Sequence, residues 1–144
     1  MPTLTNRKLT LTPSGTPAGT NMNVLVTYTV NLSQLESNLV GLGMTFTDEA
    51  VLIGVDPSGG TTGTPLRLVG GGLIPVTSKA QSQAIEREHK AVVRRALLDE
   101  DPGTNIKDDD EIRCRIQVSS PTLSTNLTEA FTNQITLVDV PTNE

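Results

Sequence analysis

Six successive even-numbered residues, Met22, Val24, Val26, Tyr28, Val30 and Leu32, are apolar, and the positions between them are Asn23, Leu25, Thr27, Thr29 and Asn31. Side chains alternate across a β-strand with a period of two, so this run reads as a strand with one buried and one wetted face. Only Leu25 breaks the pattern. A second run repeats it, with Ile112, Cys114, Ile116 and Val118 separated by Arg113, Arg115 and Gln117. Each strand has a single apolar face to bury, and a second sheet packed against it is the simplest cover.

The rest of the chain supplies the partners. Leu9 and Leu11 alternate with polar neighbours over residues 7–12, and Pro13-Ser14-Gly15 ends that strand. Ser33 and Glu36 have capping-box spacing, and Leu35, Leu39 and Leu42 recur at helical intervals, which predicts a short helix limited by Gly41 and Gly43. Met44 and Phe46 alternate with threonines, Asp48-Glu49 reads as a turn, and Val51, Ile53 and Val55 resume the alternation, so this segment is expected to be a hairpin. Leu66 and Leu68 form a short strand that Gly70-Gly71-Gly72 interrupts, with Leu73 to Val76 as its continuation past a bend or bulge. Phe131, Ile135, Leu137, Val138 and Val140 give a last strand.

Residues 78–98 support two readings. Ile85, His89, Val92 and Ala96 fall on one face of a helix around 79–98, whereas Ala91-Val92-Val93 and the residues from Arg94 to Leu98 fit β segments. Under either reading the tally is seven or eight short strands with Gly/Pro turns between them. The expected fold is therefore mainly β: residues 1–144 as a single-domain antiparallel β-sandwich of about 7–8 strands, with short extended N- and C-terminal arms at 1–7 and 136–144.

Composition narrows the function. Tyr28, Phe46 and Phe131 are the three aromatic residues, so the core must be aliphatic, and both a base-stacking surface and an aromatic sugar platform are disfavoured. A net charge of -5 argues against nucleic acid as a partner, because phosphate binding needs excess Lys and Arg. No apolar run reaches the length of a membrane span, and the N-terminus lacks the basic and apolar regions of a secretory leader. The expected location is the cytoplasm, or a particle or surface structure reached by a leaderless route, unless the sequence is that of a mature product whose leader is missing. Cys114 is the lone cysteine, alternates with isoleucines and is expected to be a buried, inert thiol. His89 is the lone histidine and sits among Glu86, Arg87, Glu88 and Lys90, which reads as a solvated element. No Gly-x-Ser-x-Gly elbow is present, and the glycine runs fit neither a dinucleotide fingerprint nor a P-loop. No catalytic residue and no bound cofactor are expected.

Two charge clusters remain. Seven of the sixteen carboxylates lie within residues 99–111, and Asp99, Asp101, Asp108, Asp109 and Asp110 are the candidate ligands of a calcium ion, which takes six to eight oxygens in flexible geometry. The spacing is not that of an EF-hand, and a solvated loop is the simpler reading. Arg87, Lys90, Arg94 and Arg95 form a basic cluster that complements the acidic segment and marks a candidate interaction surface. The chain is therefore expected to be a non-catalytic structural or interaction module that self-assembles or docks into a larger particle or surface assembly, with another protein or its own copies as partner. The alternatives are a calcium-dependent module for carbohydrate or lipid headgroups using loop 99–111, and a small hydrolase using a carboxylate pair from the same loop.

Overall fold

In a computed structural model of the chain, which describes residues 2–15, 21–55, 64–94, 111–121 and 125–136, the alternating run is realised as β2 (Asn21–Leu32). It lies between β1 (Thr3–Ser14) and β5 (Gln83–Arg94) in a three-stranded sheet of order β1-β2-β5. The second sheet has the order β4-β3-β6-β7, formed by β3 (Thr47–Val55), β4 (Thr64–Leu73), β6 (Glu111–Ser120) and β7 (Thr125–Phe131). The two-residue β8 (Ile135–Thr136) also pairs with β6. Every pairing is antiparallel. The expected β-sandwich is the observed architecture.

The core is aliphatic, as three aromatics require. All six even-numbered residues of β2 face it, joined by Leu9 and Leu11 of β1, Ala50 and Leu52 of β3, and Ile112, Cys114, Ile116 and Val118 of β6. Tyr28 and Phe46 are buried in it. Phe131 is not. It packs with Val51 and Ile53 in a separate small cluster, and the Arg113 guanidinium lies 4.0 Å from its ring centroid in a cation–π contact.

The helix comes where the capping box places it, as α1 (Gln34–Gly41). The Ser33 hydroxyl accepts from the Glu36 amide at 3.2 Å, and Glu36 accepts from the Ser33 amide at 2.8 Å. Its buried face differs from expectation, since Glu36 and Ser37 are buried while Leu35 and Leu42 stand exposed. Ser37 is held there by Gln83, whose amide donates to the Ser37 hydroxyl at 2.8 Å and whose oxygen accepts from the Thr77 amide at 2.8 Å. This latch fixes the start of β5 against the helix.

The structure decides one open reading and corrects two expectations. Residues 83–94 are a strand, and the helix around 79–98 does not form there; residues 95–98 lie outside the described residues. The reason is the face that the strand period brings inward: Ile85 and Val93 are buried, with Arg87, His89 and Ala91 half-buried between them, and the interior holds a carboxylate for the two polar members. Asp48-Glu49 is not a turn, because β3 runs straight through it and Asp48 occupies a core position between Phe46 and Ala50. The glycines at 70–72 do not end the strand but lie within β4, paired with Ala50, Glu49 and Asp48; the register shift between Gly70 and Leu68, opposite Ala50 and Val51, is the irregularity that the glycine run suggests, and the strand ends at Leu73 rather than Val76.

The N-terminal arm is also absorbed into the fold. Thr3, Leu4 and Thr5 pair with Asn31, Val30 and Thr29, and Asn6, at φ 52, marks a register shift between Thr5 and Lys8. The outer edge of β1 is then closed by a side chain. The Leu9 amide donates to Asn133 Oδ1 at 2.7 Å, and Asn133 Nδ2 donates to the Leu9 carbonyl at 3.2 Å, so one amide group stands in for a neighbouring strand. Residues 137–144, the expected C-terminal arm, lie outside the described residues. Asn133→Ala leaves both Leu9 groups without this partner and is expected to cost about 1 to 3 kcal/mol. Urea unfolding measures the loss, and faster hydrogen exchange at the Leu9 amide localises it.

Candidate functional site

Period-two geometry puts Tyr28 of β2, Asp48 of β3, and Arg87 and His89 of β5 on the inward faces of the two sheets, where they meet. The Asp48 side chain is 0% exposed and is the hub. Arg87 grips it with two bonds, Nε to Oδ2 at 2.7 Å and Nη2 to Oδ1 at 3.0 Å, the two-pronged geometry that guanidinium and carboxylate groups favour. The Tyr28 hydroxyl donates to Oδ2. The backbone amide of Gly72 in β4 donates to Oδ1 at 3.1 Å. With the Tyr28 hydrogen committed to Asp48, the phenolic oxygen is an acceptor, so His89, 2.9 Å away through Nε2, carries a hydrogen on that nitrogen. The same Nε2 lies 3.5 Å from Asp48 Oδ2.

The glycines of β4 make room for this cluster. A Cβ on Gly70 would lie 2.8 Å from His89 Nδ1, and one on Gly71 would lie 2.4 Å from the Asp48 carbonyl oxygen. Both distances are below van der Waals contact, so a side chain at either position displaces the network or the strand that carries it.

Electrostatics follow from the geometry. Burial alone pushes the Asp48 carboxyl up, but hydrogen bonds from His89, Arg87 and Tyr28, with the Arg87 charge, outweigh it and hold the group well below the usual carboxylate range. Burial, followed by the hydrogen bond and charge of Asp48, pushes the Tyr28 hydroxyl well above its ordinary value. The Arg87 guanidinium is held more firmly charged, chiefly by its bond to Asp48. A phenol pushed upward is a poor nucleophile and a poor base at neutral pH. With the Asp48 side chain 0% exposed and Tyr28 2% exposed, the arrangement links the two sheets through buried polar bonds.

The residues singled out in the sequence are dispersed. Arg87 points inward to Asp48 and away from any basic surface. Lys90 is exposed and lies 3.2 Å from Glu88, Arg94 is exposed at the end of β5, and Arg95 lies outside the described residues. His89 belongs to the buried network and not to a solvated element. Asp99, Asp101, Asp108, Asp109 and Asp110 all lie outside the described residues. Among the described residues, no group of three or more His, Cys, Asp or Glu side chains is placed to hold a metal ion, and no helix is long and apolar enough to cross a membrane. Cys114 is fully buried, and burial pushes its thiol up to about 12, which suits an inert side chain.

Asp48 is the residue that sequence reasoning missed. Its signal was parity: Met44, Phe46, Ala50 and Leu52 share its strand face, and reading the alternation through position 48 places a carboxylate inside. No family model, curated protein or solved structure significantly matches this chain, so any functional reading rests on its own residues.

Asp48→Asn removes the charge that compensates Arg87 and is expected to destabilise the fold by about 3 to 5 kcal/mol at neutral pH. Because folding lowers the Asp48 pKa, the unfolded chain takes up its proton first on acidification. The contribution is complete above the unfolded value near 4 and is lost as pH falls through it toward the folded value. Chemical unfolding between pH 7 and pH 2 should show a steeper acid decline in the wild type than in Asp48→Asn.

Proposed function

We propose that this chain is a non-catalytic structural or interaction module, a β-sandwich that associates with its own copies or docks into a larger assembly. One observation carries the reading: reactive chemistry is turned inward while apolar surface is turned outward on the strands that border the sandwich. The Asp48 network is saturated with internal partners. Outside it, Leu68 and Leu73 of β4 and Val92 of β5 are each more than half exposed. Val92 also borders two shallow surface depressions, one with Leu25 and Lys90, the other with Arg67 and Arg94. Exposed aliphatic side chains with basic neighbours and open backbone beside them suit contact with another protein surface.

The odd residue of the first strand pattern fits the same reading. Leu25 faces outward on β2, opposite Lys90 of β5 in the ladder and close to Val92, so the break in alternation places an apolar group on the outer face. Size-exclusion chromatography with light scattering over a wide concentration range tests the reading. The expected result is a mass that rises with concentration to a multiple of 15.3 kDa. A strictly monomeric species at millimolar concentration contradicts self-association.

A further inference from the structure

We propose that the free edge of β5 is the self-association surface, and that two copies pair there antiparallel, β5 against β5, to make one continuous six-stranded sheet. The proposal rests on the assembly reading above and names its interface.

The four sheet edges are not equal. β1 carries a register shift at Thr5/Lys8 and has Asn133 seated on both backbone groups of Leu9, while the Thr128 hydroxyl holds the Pro2 carbonyl at 2.6 Å. β4 has two register breaks against β3 and contains Pro65 and three glycines, and β7 is seven residues long. Bulges, proline, brevity, covering groups and charged side chains are the devices by which proteins protect edges. Among the described residues β5 has only the last, and its outward charges are of both signs, which repel a strand of like charge but match a complementary one. Its twelve residues run in unbroken register against β2, from Gln83 opposite Leu32 to Arg94 opposite Asn21, with no proline or glycine. No described strand pairs with its other side.

The side chains of β5 specify the partner. Those facing outward are Ala84, Glu86, Glu88, Lys90, Val92 and Arg94, all exposed, so the outer face is acidic in its first half and basic in its second. Arg67 of β4, which shares a depression with Val92 and Arg94, adds to the basic end. An antiparallel pair about a two-fold axis sets the acidic half of each strand against the basic half of the other. With the axis at His89, Glu88 faces Lys90; an axis at Lys90 sets Glu86 against Arg94 but also the two Lys90 side chains against each other, so the first register is favoured. A parallel pair sets like against like. Neither Arg67 nor Arg94 makes an ion pair among the described residues, and the Glu88–Lys90 pair within the strand joins two exposed groups and exchanges readily for a contact across the interface. Meanwhile the inward side chains of β5 are fixed by Asp48 and the core, so the edge is presented on a preorganised strand.

The experiment uses two variants of the full chain, Glu86→Lys/Glu88→Lys and Lys90→Glu/Arg94→Glu, with circular dichroism confirming that both fold. All four residues are exposed and outside the Asp48 network. The expected result is a wild-type dimer, association weakened about tenfold or more in each variant alone, and recovery of a dimer when the two are mixed in equal amounts. If the wild type is monomeric, the interface and the self-association half of the assembly reading both fall. If the wild type associates but the variants associate equally well, or weaken without recovering on mixing, the β5 interface is overturned and the assembly reading stands.

Discussion

A carboxylate sealed between two sheets is a severe constraint on everything around it. An ionised group removed from water costs several kcal/mol unless it is paired and hydrogen-bonded, and Asp48 meets that cost with Arg87, Tyr28, the Gly72 amide and a nearby His89. The four partners come from β2, β4 and β5, so one side chain of β3 is tied to both sheets at once. A slip of β5 by one residue exchanges its faces. Glu86 and Glu88 then replace Arg87 and His89 inside, opposite a buried carboxylate. The network therefore selects one register of β5 and, through the glycines of β4, one approach of the neighbouring strand.

The same constraint explains what was legible in the sequence. The strands flanked by simple alternation, 22–32 and 112–118, announce both their conformation and their buried face, because burial there is purely apolar. Residues 83–94 do not. The inward positions carry arginine and histidine, so hydrophobic periodicity is weak, and helical spacing of Ile85, His89 and Val92 competes with it. Only the partner in β3 decides between them, and its sequence distance from β5, thirty-nine residues between Asp48 and Arg87, puts it beyond any local pattern. Asp48-Glu49 was misleading for the complementary reason, since acidic pairs are common in turns and rare inside sheets.

Glycine was ambiguous in a similar way. Gly70 to Gly72 read as a break because glycine weakens strands, yet at Gly70 and Gly71 the lack of a side chain is what a strand passing close to His89 and to the Asp48 backbone requires. The candidate site was legible in parts, with the lone histidine noticed and the arginine assigned to a surface it does not occupy. What remains on that surface, an acidic and then basic outer face on an edge that no described strand pairs with, follows from the same strand having its other face locked inside.

A double-mutant cycle between Asp48 and Arg87, measured by urea unfolding of the wild type, Asp48→Asn, Arg87→Gln and the double variant, tests this account most directly. A buried, mutually dependent pair gives a coupling energy of about 1 to 3 kcal/mol, with the double variant less destabilised than the sum of the single ones. Additivity within about 0.5 kcal/mol means that the two groups stabilise the fold independently, and contradicts the claim that this contact locks the sheets together.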